Sequence, residues 1–212
     1  MLHSIKTHSK KVDILKIDLS KAFDRVSWTY LQLMLTHIGF PHQFIKWVGS
    51  CFTTVSFNVL INGVTSNFFH VERGLRQGCP LSPMLFLLIM EGLNRLIKST
   101  RTNGILGGVE INDRTIILHL LFVDGVLIFL NGSFKNTSSF KSVLSLFCKA
   151  IGMEPNFDKS RIIFSSYLPN EQRYASQHFE FIRQELEARL KYLGFSDLSQ
   201  MGTTLQIGRG CL

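Results

Sequence analysis

The chain has 212 residues, of which 45% are hydrophobic and 18% are charged, and it contains 18 Phe. This length and composition exclude a disordered protein and suit a single domain with a sizeable core. The formal net charge is +8 at pH 7, which permits binding to phosphate backbones but does not by itself predict it.

The sequence gives no sign of a membrane protein or of a secreted one. No apolar run reaches the roughly 18–20 residues that a membrane helix needs, and the basic N-terminus is not followed by an apolar signal segment. We therefore expect an intracellular protein, in the nucleus or the cytoplasm, with no membrane partner. The cysteines show no CxxC spacing, so we expect reduced thiols that lie mostly in the core, and no zinc site: Cys51, Cys79, Cys148 and Cys211.

The first third of the chain predicts a strand followed by two helices. Residues 12–19 form an apolar run that ends in an acid, which is typical of a strand. Ser27 is suited to cap a helix and Gly39 to end it, and Pro41 is suited to open a second helix. Helical spacing assigns the buried face of that second helix to the following residues: Phe44, Trp47, Val48 and Cys51.

Two β-rich arms flank Asn62-Gly63, a dipeptide typical of a tight hairpin. A glycine-punctuated turn follows the hairpin. Ser82 and Pro83 are a suitable N-cap and first-turn pair for a helix over residues 83–98.

The second half of the chain predicts strands around one amphipathic helix. Apolar runs indicate strands over residues 104–130, with Asp124-Gly125 as the turn that joins the last two. The remaining predicted elements are a helix over 139–151, a short strand over 156–165, a charged helix over 170–190 and a strand over 191–195. The order of elements predicts an α+β fold, with helices packed on one face of an antiparallel sheet.

Two acids, Asp18 and Asp124, stand at the ends of predicted strands. Each could simply form a turn, because Asp is frequent in turns and Asp124 is followed by glycine. Both could instead belong to a metal site, which would require the fold to bring them together. Their local sequences leave these two interpretations open.

Five motifs occur in a characteristic order along the chain: ILKIDLSKAFDRV (14–26), GLRQGCPLSPMLF (74–86), HLLFVDG (119–125), NFDKSRIIF (156–164) and KYLGF (191–195). Their succession over residues 3–195 resembles the reverse transcriptase palm of LINE-type (non-LTR) retrotransposons, most closely the plant elements. The resemblance implies a polymerase palm over residues 1–195, with fingers and thumb largely missing and only 17 residues before Asp18. Residues 196–212 are expected to form an unrelated or disordered tail.

The resemblance also implies an activity and its participants. Such a domain copies an RNA template by extending a DNA primer with dNTPs, and it uses two Mg²⁺ ions and no other cofactor. One ion activates the primer 3′-hydroxyl and the other stabilises the leaving pyrophosphate. By resemblance, Asp18 and Asp124 are the catalytic, metal-binding acids. Four further residues match substrate contacts: Phe23 against the sugar, Gln77 and Gly78 near the nucleotide and template, and Lys159 near the triphosphate.

Gly125 departs from the family pattern. The corresponding hairpin of the family carries two adjacent acids, and here the second acid is replaced by glycine. The resemblance therefore implies an enzyme that is severely impaired or inactive, a pseudoenzyme that keeps two of three carboxylates. The alternative interpretation is a non-catalytic remnant that binds nucleic acid or another partner.

Overall fold

The computed structural model describes residues 12–112, 115–164 and 182–185, and the chain divides into two compact units. The first unit comprises Met1–Asp18, Ser99–Ser142 and Asn156–Leu212, and the second comprises Leu19–Lys98 and Val143–Pro155. Both units are therefore assembled from separated stretches of sequence.

The described residues form a mixed α+β arrangement with four helices and 11 strands. In chain order the elements are β1 (Asp13–Asp18), α1 (Trp28–Ile38), α2 (His42–Thr53), β2 (Ser56–Phe57), β3 (Leu60–Ile61), β4 (Val64–Thr65), β5 (Phe69–His70), α3 (Ser82–Thr102), β6 (Val109–Asn112), β7 (Thr115–Ile117), β8 (His119–Phe122), β9 (Gly125–Leu130), α4 (Phe134–Ile151), β10 (Arg161–Phe164) and β11 (Ile182–Glu185). No helix in the described ranges is long and apolar enough to cross a membrane.

The first unit is built on a five-stranded sheet with the order β11-β10-β1-β9-β8. Strand β1 lies at its centre and pairs antiparallel with both β9 and β10. Strand β11 pairs parallel with β10, so the sheet is mixed and not purely antiparallel as the sequence predicted. The sequence predicted a helix over 170–190, but residues 182–185 form strand β11, so the prediction is wrong there. The predicted strand 191–195 and the predicted tail fall outside the described residues.

The centre of this sheet is buried on both faces. Every residue from Val126 to Leu130 in β9 is completely inaccessible to solvent. Because successive residues of a strand point to opposite faces, burial of the whole run requires cover on both sides. The sequence led us to expect helices on one face, and the central strands are covered more fully than that.

The apolar run before β9 forms two strands, although its sequence shows no break between them. Strand β7 pairs with β6, whereas β8 pairs with β9, and the chain changes partner at Leu118. The Leu118 carbonyl accepts a hydrogen bond of 2.8 Å from the Phe129 amide, which keeps the junction attached to β9. An uninterrupted apolar sequence carries no mark of such a change of partner.

Helix α1 of the second unit begins and ends as predicted. The Ser27 hydroxyl accepts a hydrogen bond from the Tyr30 amide at 3.3 Å. Gly39 adopts a left-handed conformation with φ of 97°, and its amide donates to the carbonyls of Leu35 and Thr36. Both caps satisfy backbone groups that a helix leaves without internal partners.

The buried face of α2 differs from the predicted one. Ile45, Val48 and Phe52 are buried, whereas Trp47 is 62% exposed and Cys51 is exposed. Of the predicted face, Val48 alone is fully buried, because the apolar stripe runs one residue out of phase. The prediction that most cysteines lie in the core is also wrong within the described chain. Cys148 is buried and burial raises the pKa of its thiol to about 11, but Cys79 is partly exposed.

The predicted hairpin at Asn62-Gly63 is confirmed. Ile61 pairs with Val64, and both turn residues have positive φ, 51° at Asn62 and 84° at Gly63. Positive φ at both central residues is the requirement of a type I′ turn.

The two long helices begin differently from the sequence predictions. Ser82 is not the N-cap of α3 but its first helical residue, and its hydroxyl donates to the Arg76 carbonyl at 2.7 Å. Helix α4 starts at Phe134, five residues before the predicted start at 139. The buried residues of its first turn are the polar Asn136 and Thr137, so the apolar periodicity did not reveal it.

Candidate active site

The fold brings Asp18 and Asp124 together in the first unit. Asp18 is the last residue of β1, and its Cα partner on β9 is Gly125. Directly opposite residues in an antiparallel pair have Cα atoms about 4.5–5.5 Å apart. Asp124 immediately precedes Gly125, so its Cα lies within about 9 Å of the Cα of Asp18. The turn-only interpretation did not require this proximity, and the metal-site interpretation did.

The turn between β8 and β9 consists of Val123 and Asp124, because Phe122 pairs with Gly125. Val123 has a φ of 51°. The first central position of such a two-residue turn favours glycine, and a β-branched residue is strained there. Our expectation that Asp124-Gly125 forms the turn is therefore wrong. Gly125 is the first residue of β9, and its lack of a side chain is not needed for the turn.

Replacing Val123 by glycine is expected to stabilise the protein, by up to about 1 kcal/mol. The left-handed conformation costs an L-residue about 1–2 kcal/mol, and the greater freedom of glycine in the unfolded chain offsets part of the gain. Val123 is 37% exposed, so little packing is lost. Urea denaturation of Val123→Gly beside Val123→Ala measures this gain, because alanine retains the strain. A lower midpoint for Val123→Gly would contradict the assignment of strain.

A turn of residues 156–160 closes the edge of β1 at Asp18. The Asp18 amide donates to the Ser160 hydroxyl at 3.2 Å, and the Asn156 amide donates to the Asp18 carbonyl at 2.8 Å. Lys159 is exposed on this turn, and its amide donates to the Asn156 side chain at 3.2 Å. The turn that carries Lys159 is thus hydrogen-bonded to the backbone of Asp18 in the same unit. The short predicted strand 156–165 is a turn followed by β10, and sequence reasoning missed Asn156 and Ser160, whose partner is remote in the chain.

Phe23, Gln77 and Gly78 belong to the second unit. The Phe23 ring stacks on the Phe86 ring with centroids 4.8 Å apart and planes 15° apart, and it remains partly exposed. The Leu75 amide donates to the Phe23 carbonyl at 2.7 Å. This bond ties the segment that carries Gln77 to the segment that carries Phe23.

Asp24 lies in a turn, and its side chain also binds Gln77, a contact that its local sequence does not reveal. The Gln77 amide Nε2 donates to Asp24 Oδ1 at 3.0 Å. Both residues line a pocket of about 400 Å³ whose walls include Trp28 and Phe52, with Arg76 also in the lining. Pockets with apolar walls and a few convergent polar groups are the usual form of small-ligand sites.

Gly74 holds these two segments of the second unit in close approach. Its amide donates to the Val26 carbonyl at 2.8 Å, and the Trp28 indole donates to its carbonyl at 2.7 Å. A Cβ at Gly74 would lie 2.7 Å from the Asp24 carbonyl oxygen, and its φ is 96°. Glycine is therefore required at this position on two independent grounds.

Asp18 and Asp124 supply two carboxylates of the first unit that could hold a metal ion. Asp18 and Asp124 are both half-buried, and carboxylate oxygen is the ligand that Mg²⁺ prefers. In the ranges that the structure describes, no group of three or more His, Cys, Asp or Glu side chains is placed to hold a metal. The donor chemistry of these two carboxylates therefore suits a divalent cation.

The chain matches a known protein family over almost its whole length. The family described as Reverse transcriptase (RNA-dependent DNA polymerase) matches residues 2–196. This range agrees closely with the 3–195 over which the sequence motifs show a resemblance.

Individual relatives are retrotransposon proteins and a plant mitochondrial protein. The Pol polyproteins of R2 elements from Popillia japonica and Drosophila melanogaster are 29% identical over 56% of this chain and 36% identical over 46% of it, respectively. The chain covers 19% and 9% of those two relatives, and so spans only a small part of their length. An uncharacterized mitochondrial protein of Arabidopsis thaliana is 44% identical over 31% of this chain, which covers 54% of that relative.

The fold of this chain is also similar to that of solved structures. Telomerase from Candida albicans, in a structure with a fragment of telomeric RNA, superposes with a TM-score of 0.58 at 15% sequence identity. The match covers 79% of this chain and 29% of the telomerase chain. At this level of identity the similarity concerns the fold alone.

Proposed function

Because the chain belongs to the reverse transcriptase (RNA-dependent DNA polymerase) family, we propose that it is the palm of a non-LTR retrotransposon polymerase that is impaired in nucleotide transfer. The observation that carries the proposal is the pairing of Asp18 with Gly125. A glycine stands directly across the sheet from the first acid, at the position where the family motif has its second hairpin acid. The pseudoenzyme therefore keeps two carboxylates, Asp18 and Asp124.

Asp18 and Asp124 are the residues that would hold Mg²⁺ in this proposal. When bound, divalent ions supply the Lewis acidity that nucleotidyl transfer needs. The chain's own contribution is to hold one carboxylate at the end of β1 and the other in the turn that precedes β9, at one end of the sheet. Without an acid at position 125, the site has one negative charge fewer to retain a cation.

The substrate contacts in the proposal are Phe23, Gln77, Gly78 and Lys159. The partly exposed face of Phe23 is suited to pack against a sugar, and Asp24 fixes the direction of the Gln77 amide. Gly78 has nothing within 4 Å of where its Cβ would be, which leaves its backbone open to a ligand. Lys159 is suited to meet phosphate because its charge is exposed on the turn beside Asp18. Template RNA, primer DNA and dNTPs are the corresponding partners.

Primer extension on a poly(rA)/oligo(dT) template with Mg²⁺ or Mn²⁺ tests the proposal. We expect incorporation by the wild type to equal that of the Asp18→Ala variant, because the acid missing at position 125 lowers the rate by orders of magnitude. Circular dichroism confirms that both proteins are folded. Incorporation by the wild type that disappears in Asp18→Ala would contradict the impairment and show that two carboxylates suffice.

A second candidate function is nucleic-acid binding without catalysis. The net charge of +8 supports it, as does the exposure of Arg73 and Arg76 in the lining of the second unit's pocket. Phosphate contacts of this kind make affinity fall steeply with salt. Saturable, salt-dependent RNA binding that weakens in an Arg73→Ala/Arg76→Ala variant supports this candidate, and affinity unchanged in that variant contradicts it.

A further inference from the structure

The backbone of Asp18 is held on the edge that faces away from β9. Its amide donates to the Ser160 hydroxyl at 3.2 Å, and its carbonyl accepts from the Asn156 amide at 2.8 Å. The N–H and C=O of one strand residue point to the same edge, so these two bonds use both of the groups that Asp18 presents there. Gly125 is its partner across the other edge.

At Asp18, a hydrogen bond to the Ser160 side chain takes the place of a backbone hydrogen bond between strands. The β1–β10 ladder ends with Lys16 opposite Arg161, and continuation of that register would place Lys159 opposite Asp18. The chain turns instead, and the Ser160 amide closes the turn by donating to the Asn156 carbonyl at 2.8 Å. The Ser160 hydroxyl thus accepts the hydrogen bond from Asp18 that a strand carbonyl would otherwise accept.

The burial of Ser160 shields this hydrogen bond from competition with water. Ser160 is completely inaccessible to solvent, so its hydroxyl cannot exchange the Asp18 amide for bulk water. A buried polar group without a partner is costly, which makes the bond a strong constraint on the end of β1. The same turn carries Lys159, and therefore fixes its backbone relative to that of Asp18.

We propose that Ser160 is a positioning residue, which holds the last peptide of β1 so that the Asp18 carboxylate keeps its direction toward a divalent cation. The inference rests on the proposed function, because it concerns the same metal-binding acid. Ser160 itself does not contact the cation. Removing partners that orient a metal ligand commonly weakens metal binding about 10–100-fold, even though the ligand remains.

The opposite end of β1 offers a matched control. Thr137 is buried, and its hydroxyl donates to Asp13 Oδ2 at 3.1 Å. Asp13 is the first residue of the strand and Asp18 is the last. Thr137→Val removes a buried hydroxyl that binds the same strand, and valine has nearly the same shape as threonine. The change lies at the end of β1 away from the candidate metal site.

The experiment measures Mn²⁺ affinity by electron paramagnetic resonance and the exchange rate of the Asp18 amide hydrogen by NMR. The proteins compared are the wild type, Asp18→Ala, Ser160→Ala and Thr137→Val. We expect Ser160→Ala to bind Mn²⁺ about tenfold more weakly than the wild type and to exchange the Asp18 amide faster. Thr137→Val is expected to change neither quantity. Ser160→Cys, whose sulfur is a weaker acceptor, is expected to act in the same direction and replaces Ser160→Ala if that variant does not fold.

Two results would overturn the positioning role alone. One is loss of Mn²⁺ binding in Asp18→Ala with unchanged affinity in Ser160→Ala. The other is an equal loss of affinity in Ser160→Ala and Thr137→Val, which would indicate general loosening of the strand. If Asp18→Ala binds Mn²⁺ as the wild type does, the metal site itself fails and the positioning role fails with it. The amide exchange rate then still reports whether the hydrogen bond exists.

Discussion

Gly125→Asp is expected to increase primer extension by at least about 100-fold over the wild type, because loss of a catalytic carboxylate commonly costs more than this. Position 125 is directly opposite Asp18 on adjacent strands, and the Cβ atoms of such pairs are about 4.5–5.5 Å apart on one face. An acid introduced there can therefore share a cation with Asp18. The turn should tolerate the change, since the positive φ belongs to Val123.

Two controls test whether the charge or the size of the new side chain causes the increase in primer extension, and whether that increase depends on Asp18. Gly125→Asn adds a side chain of nearly the same shape without the charge, and is expected to leave extension at background. Adding Asp18→Ala to Gly125→Asp is expected to abolish the gain. No increase in Gly125→Asp, from folded protein with raised Mn²⁺ affinity, would mean that the missing acid is not what limits nucleotide transfer.

Gly74→Ala is expected to lower the free energy of unfolding by about 3 kcal/mol. The left-handed conformation costs an L-residue about 1–2 kcal/mol, and forced overpacking costs about 1–3 kcal/mol more. The new methyl would lie 2.7 Å from the Asp24 carbonyl oxygen, which is backbone and cannot rotate away. Urea denaturation measures the loss.

Gly78→Ala is the matched control for this prediction. Gly78 lies four residues further along the same segment and has a φ of 81°, but nothing lies within 4 Å of its Cβ position. Alanine at position 78 would have the strained backbone conformation but no steric clash, so we expect the free energy of unfolding to fall by only about 1 kcal/mol. Equal losses in the two variants would contradict the assigned contact between Gly74 and Asp24.

The elements that sequence predicted well are those whose signals are local. Ser27, Gly39 and Asn62-Gly63 act through their own backbone conformation or through neighbours within a few residues. The sequence failed where a remote partner decides the structure. The first turn of α4 is an example. The side chain of Asn136 is buried there and forms hydrogen bonds of 2.9 Å with both the amide and the carbonyl of Gly107.

The candidate site divides in the same way. Motif order identified Asp18 and Asp124 as candidates, but the register that joins them arises from pairing between β1 and β9. Ser160 could not be found from sequence, because it acts on a residue 142 positions away. The hydrogen bond between Asp24 and Gln77 could not be found from sequence either, because the two residues are 53 positions apart.

The distribution of burial along β9 has a consequence for sequence drift. Val126 to Leu130 are fully buried, whereas Gly125 at the start of the strand and Asp124 in the turn before it are only half-buried. Substitutions in the buried run create cavities or strain and are removed whenever the folded protein is selected. An exchange of acid for glycine at the strand's first residue escapes that filter, because it leaves the core intact. A gene selected for a folded product but not for its catalysis would therefore lose the acid and keep the fold.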